Sequence, residues 1–202
     1  MKIYQSHNAP NPRRVRVFLA EKGIQIPYEE VDIGKKVNRS DEFRKKNSLT
    51  TVPVLELDDG TYISESVAIC RYFEECYPEP PLFGTDAKER ALIEMWNRRM
   101  EFNILQPIAD TFRQRHDFFK GRIRQLPEYA DLQRLNADDG LVWLDRELAE
   151  RRFVAGDRFS IADITAVVAI DFGRVSKIAI KPEQTNLSRW HAEVSARPSA
   201  KA

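Results

Sequence analysis

The stretch Tyr77-Pro78-Glu79-Pro80-Pro81 divides this chain more sharply than any other feature. Three prolines within four residues fix φ and remove backbone donors, so neither a helix nor a central strand runs through it. Strand and helix signals alternate before it, and strand signals nearly vanish after it. A chain of 202 residues has room for two such parts, each burying its own core. We therefore place a first domain at residues 1–77, a linker at 78–85 and an all-helical domain at 86–202.

In the first domain residues 2–4 read as a short strand. Residues 12–22 read as a helix, with Val15, Phe18, Leu19 and Lys22 along one face and Gly23 as the stop. A second strand follows at 27–33 and a short helix at 41–46. Strands at 52–57 and 61–63 flank Asp58-Asp59-Gly60, a hairpin turn signal. A third helix covers 65–76. The order βαβ, then α, then ββα implies a mixed sheet with helices on its faces. In the second domain residues 86–117 read as a long helix that Pro107 kinks or breaks. Further helices fall at 127–151, 161–175 and 184–196, the 161–175 helix being the most apolar. Its entry, Phe159-Ser160-Ile161-Ala162-Asp163-Ile164, places Ser160 at the N-cap and Asp163 at N3, a reciprocal capping box, with Phe159 and Ile164 as a hydrophobic staple. The expected fold class is α/β plus all-α.

Formal net charge is +1, so no bulk charge draws the chain to nucleic acid or an anionic membrane. No apolar run approaches the roughly 20 residues of a membrane span, and the N-terminus enters a strand without an apolar signal region. Cys70 and Cys76 form no CxxC pair, and three scattered histidines make no metal motif. We read both cysteines as small core residues of the third helix, and the setting as reducing and cytoplasmic, with no metal, nucleic-acid or membrane partner.

Three short constellations carry chemistry. Thr51-Val52-Pro53-Val54 opens the third strand, where a proline is tolerated at a strand start. Alone, Val52-Pro53 would be trans; a cis bond would turn the Val52 backbone outward to pair with an extended peptide by strand addition. Ser64-Glu65-Ser66 opens the third helix, whose backbone N–H groups converge on an anion. With the Ser66 hydroxyl and the Glu65 charge, this suits a zwitterionic amino-acid head: carboxylate at Ser66, ammonium near Glu65. Its plainer reading is a helix capped by Ser64. Ala9-Pro10-Asn11-Pro12 lies where a thioredoxin-type protein would carry CxxC, so any thiol must arrive with the ligand. Asn11 reads as the N-cap with Pro12 at N1, and Arg13 and Arg14 as an exposed helical face.

Taken together, Thr51-Val52-Pro53, Ser64-Glu65-Ser66, the proline-rich linker and Ser160-Ile161-Ala162-Asp163 resemble the cytosolic glutathione transferases over essentially the whole chain. The resemblance implies a thioredoxin-like domain joined to a helical-bundle domain, usually as a homodimer, with Val52-Pro53 cis. It implies glutathione as co-substrate, its cysteinyl backbone on Val52 and its γ-glutamyl head at Glu65 and Ser66. Most classes place Tyr, Ser or Cys against the sulfur; here the Ser or Cys position falls at Ala9. The pattern is closer to the bacterial nu-like class, in which an Asn at the start of the first helix contacts sulfur, and Asn11 matches it. An unperturbed thiol is only roughly 3% thiolate at pH 7, and lowering its pKa by two units needs about 2.7 kcal/mol. One hydrogen bond to a charged group supplies roughly 1.5–3 kcal/mol, and a helix N-terminus roughly 0.3–1 kcal/mol. Asn11 is thus the candidate catalytic residue, its oxygen capping the helix while its NH₂ meets sulfur; a cap alone is the other reading. Asn38, with Arg39 or Lys36 as charged alternatives, lies in the stretch that reaches the glycine carboxylate. The activity implied is thiolate attack on a small electrophilic substrate. Alternatives are glutathione-dependent disulfide or peroxide reduction, and a non-catalytic binding module.

Overall fold

The computed structural model describes residues 1–202. The chain divides into two units, Met1–Pro81 with Pro198–Ala202, and Leu82–Arg197.

The first unit runs β1 (Lys2–Gln5), α1 (Pro10–Glu21), β2 (Tyr28–Glu30), α2 (Asp41–Lys46), β3 (Val54–Glu56), β4 (Tyr62–Ser64) and α3 (Ser66–Cys76). Its sheet has the order β2-β1-β3-β4. β1 pairs parallel with β2, Ile3 opposite Tyr28, and antiparallel with β3, Ile3 opposite Leu55. A parallel neighbour needs a crossover, and α1 supplies it. β3 and β4 form the hairpin expected at Asp58-Asp59-Gly60. Gly60 takes φ 84°, a conformation that L side chains resist, and Asp59 Oδ1 accepts from Thr61 N–H at 2.8 Å.

α1 and α3 meet along two facing stripes of i, i+4, i+8 spacing, Arg14-Phe18-Lys22 and Ser66-Cys70-Glu74, all buried but for the Lys22 backbone. Arg14 Nη1 donates to Ser66 Oγ at 2.8 Å, and Lys22 Nζ meets Glu74 Oε2 at 2.5 Å. Arg14 is therefore no surface residue, contrary to the exposed face expected of it; it is 2% exposed. Lys22 Nζ also donates to the Tyr77 and Pro80 carbonyls at 2.7 and 2.6 Å. One ammonium thus ties the end of α3 to the prolines that follow. Cys70 is buried, but Cys76 is exposed, against the expectation of a core residue. Six residues turn a helix by roughly 240°, so the two thiols face different ways.

The second unit contains α4 (Ala87–Met100), a wide turn (Glu101–Leu105), α5 (Gln106–Arg115), α6 (Pro127–Glu147), α7 (Ile161–Phe172) and α8 (Thr185–Ser195). The long helix expected over 86–117 runs from Ala87 to Arg115 and is widened by one π turn, Glu101–Leu105, just ahead of Pro107. Pro107 has no N–H for the Asn103 carbonyl four residues back, and Gln106 N–H reaches Glu101 O, five back. Gly140 of α6 packs against that carbonyl so closely that a Cβ would lie 2.4 Å from Asn103 O. α7 is buried from Ile161 to Ile170. Its capping box forms as expected, Asp163 Oδ2 accepting from Ser160 N–H at 3.0 Å and from Ser160 Oγ at 3.1 Å. Asp163 Oδ1 takes two more donors, Val154 N–H and Trp190 Nε1–H, both at 2.8 Å. No helix is long and apolar enough to cross a membrane.

Candidate functional site

All the residues singled out for glutathione belong to the first unit, on three connections of its sheet. The first is the β1–α1 loop. Arg16 Nη2 donates to His7 O at 2.9 Å and its Nη1 to Gln5 Oε1 at 2.7 Å, while His7 N–H donates to Glu30 Oε1 at 2.8 Å. The loop is thus held from α1 and from β2. Burial lowers the Arg16 pKa, without removing the charge from a guanidinium that stays protonated at any working pH.

α1 starts two residues earlier than expected. Ala9 is the N-cap and has no side chain to cap with, Pro10 is N1 and Asn11 is N2. Asn11 therefore does not cap the helix, and its half-buried amide makes no hydrogen bond within the chain. The first turn is poor in donors for a plain reason. Pro10 and Pro12 have no N–H, Ala9 N–H is taken by Ser6 O at 3.0 Å and Arg13 N–H by Ala9 O at 3.2 Å. What remains at this helix end is the Asn11 backbone N–H and the Asn11 side-chain NH₂.

The second connection precedes β3. Thr50 takes φ 57°, and Val52-Pro53 is cis, as the family resemblance implies. Two amides hold the approach: Asn38 Nδ2 donates to Thr50 O at 2.6 Å, and Asn47 Nδ2 to Thr51 O and Oγ1, both at 2.9 Å. Asn38 thus has a partner inside the chain, while Lys36 and Arg39 are exposed. Val52 makes no main-chain hydrogen bond within the chain. Its N–H and C=O are available to an extended peptide.

The third connection joins β4 to α3. Ser64 is the last residue of β4, opposite Val54, so the cap position falls to Glu65 and not to Ser64. Glu65 has φ 67° and ψ 114°, a sparsely populated conformation for a residue with a Cβ, which costs roughly 1–3 kcal/mol. Its side chain is exposed and provides no cap. The N–H groups of Ser66, Val67 and Ala68 have no acceptor within the chain. α3 thus presents three bare donors and a buried serine hydroxyl, where α1 presents one backbone donor. Sequence reasoning missed Arg14, Arg16 and Asn47. For Arg14 a signal existed: it shares the i, i+4, i+8 stripe with Phe18 and Lys22, opposite the polar spacing Ser66, Cys70 and Glu74.

In the second unit Trp96 is core, its ring stacked 5.8 Å from Trp143, with the Arg99 and Arg151 guanidinium groups 4.7 and 4.3 Å from its centroid. Phe102, exposed, lines a groove of 710 Å³ with Arg99, Gln106 and Trp143.

The first unit thus joins a four-stranded mixed sheet to an open main-chain edge at Val52 and a helix start with three bare N–H groups, an arrangement able to meet an extended peptide and an anion. Comparison with known proteins agrees. The glutathione S-transferase N-terminal domain family matches residues 3–81, and the glutathione S-transferase C-terminal domain family matches residues 127–198. The chain is 36% identical to "Glutathione S-transferase 2" of Saccharomyces cerevisiae, over all of this chain and 88% of that one. Among solved structures it resembles Gtt2 from Saccharomyces cerevisiae (TM-score 0.95, 36% identity, 100% of this chain and 99% of that one). It equally resembles a glutathione S-transferase domain-containing protein from Marinobacter aquaeolei VT8 (TM-score 0.94, 39% identity, 98% and 99% covered). The chain belongs to the glutathione S-transferase family.

Proposed function

We propose that this glutathione transferase binds reduced glutathione along Val52, Glu65 and Ser66, and that Asn11 holds its sulfur as thiolate for attack on an electrophilic second substrate. The observation that carries this is the donor inventory of α1: with Pro10 and Pro12 lacking N–H, both donors left at its start belong to Asn11. One charge-assisted hydrogen bond is worth roughly 1.5–3 kcal/mol, about what a two-unit depression of a thiol pKa needs. In the reaction the thiol proton leaves to solvent, sulfur forms a bond to the electrophilic carbon, and the leaving group departs with its electron pair. The cysteinyl backbone pairs with Val52, the γ-glutamyl carboxylate meets the bare N–H groups of α3, and the ammonium lies by Glu65. Asn38 acts through Thr50, and the glycine carboxylate falls to Lys36 or Arg39. The setting is cytoplasmic. The active form is a homodimer, a reading supported by the exposed apolar residues Leu92 and Met95 of α4 and Leu132 and Leu135 of α6.

Asn11→Ala tests the assignment. Turnover with an aryl halide falls by about 10- to 100-fold, glutathione affinity changes little, and ultraviolet titration of bound thiolate shows the thiol pKa raised. Turnover and thiol pKa both unchanged in the variant would refute it.

A further inference from the structure

We infer that Arg14 is the positioning residue that sets the preference for a ligand carrying a free α-carboxylate at its γ-glutamyl end. This rests on the reading that Ser66 and the start of α3 receive that carboxylate. Arg14 lies in the α1–α3 interface, 2% exposed, and reaches Ser66 Oγ at 2.8 Å; Ser66 is itself 5% exposed and is the first residue of α3.

The chemistry of the pair fixes its direction. A guanidinium has donors only, and a serine hydroxyl has one proton and two acceptor positions. Arg14 therefore occupies an acceptor position on Ser66, and the Ser66 proton is left to donate elsewhere. The neighbouring N–H groups of Ser66, Val67 and Ala68 are donors too, so the hydroxyl proton has no competing use among them. An arriving carboxylate meets four donors pointing one way, backed by a buried charge that does not titrate. The opposing carboxylate of this interface, Glu74, stands two turns down α3 and engages Lys22 at 2.5 Å. Ser66 and Arg14 stand at the other end of the stripe. Between them Cys70 contributes no anion, since burial pushes its thiol pKa up and keeps it protonated.

Arg14 consequently touches no ligand atom. It orients the hydroxyl that does, and adds positive potential behind it. The same contact links α1, which carries Asn11, to the helix end that receives the γ-glutamyl head. Without it, a ligand's carboxylate finds three backbone N–H groups and a serine free to rotate.

The experiment compares two ligands on the full chain: glutathione, and 4-aminobutyryl-cysteinylglycine, which keeps the ammonium and lacks only the α-carboxylate. The wild type prefers glutathione, read as the ratio of the two dissociation constants. Arg14→Gln shrinks that ratio by about tenfold or more, by weakening glutathione while leaving the analogue's affinity where it was. A loss equal for both ligands is the signature of a structural role and would overturn the assignment, as would an unchanged ratio. Should Arg14→Gln not fold, Arg14→Lys carries the same comparison, with an intermediate ratio expected and an unchanged one overturning the assignment. A wild type with no preference for glutathione would instead sink the placement of the carboxylate at Ser66, which separates failure of the site from failure of Arg14.

Discussion

Asp163→Ala lowers the free energy of unfolding of the helical unit by about 4 kcal/mol or more. The carboxylate is fully buried and accepts from Val154 N–H, Ser160 N–H, Ser160 Oγ and Trp190 Nε1–H. Alanine removes the acceptor and leaves these donors dry, at roughly 1–3 kcal/mol for each unsatisfied group. Chemical denaturation followed by Trp fluorescence measures the loss, because Trp190 is both donor and reporter. A loss near 1 kcal/mol, typical of a helix cap alone, would show that the box acts only on α7. The residue also gives stability a pH dependence of known sign. Burial outweighs the four donors and raises the Asp163 pKa from 3.8 to about 6. The folded state thus holds the proton more firmly than the unfolded chain. Its contribution is fully present below pH 3.8 and is lost as pH rises through 6. Between pH 7 and pH 5 the wild type therefore gains roughly 1 kcal/mol relative to Asp163→Asn.

Lys22→Met destabilises the first unit by about 3–5 kcal/mol. The ammonium, with a fully buried side chain, holds the Glu74 carboxylate and the carbonyls of Tyr77 and Pro80. Methionine fills much of the space but supplies no donor, and it takes the ammonium away from a buried carboxylate. Replacing both partners of a buried ion pair by apolar groups is often nearly neutral. Lys22→Met with Glu74→Leu nevertheless recovers only part of the loss, because the carbonyls still lack their donor. Urea unfolding of the wild type, Lys22→Met and the double variant gives the comparison, and full recovery in the double variant would show that the carbonyl contacts contribute nothing.

Much of this architecture is legible without coordinates where one residue type has a single physical use. Asp58-Asp59-Gly60 turns the β3–β4 hairpin because Gly60 takes a positive φ. Ser160 and Asp163 cap α7 because their spacing matches one helical turn. Pro107 forces a wide turn into a helix by lacking an N–H. The start of α1 is less legible: Asn and Pro are both favoured at helix entries, and Pro10 rather than Pro12 at N1 shifts Asn11 from cap to first turn. Arg14 is illegible in α1 alone. A charged residue reads as solvated until its partner is known, and Ser66 is 52 residues away. Asn38 shows the same limit, since a loop amide 12 residues from Thr50 carries no mark of whether it binds ligand or backbone.

Pro10 and Pro12 also bear on which anions can gather at the start of α1. Phosphate and sulfate are held by cradles of several converging N–H groups, each oxygen needing its own. A helix entry reduced to one backbone N–H and one side-chain amide offers fewer donors than such a cradle. On the reading that Asn11 holds the sulfur, inorganic oxyanions find fewer donors here than at the start of α3, where the N–H groups of Ser66, Val67 and Ala68 have no acceptor within the chain.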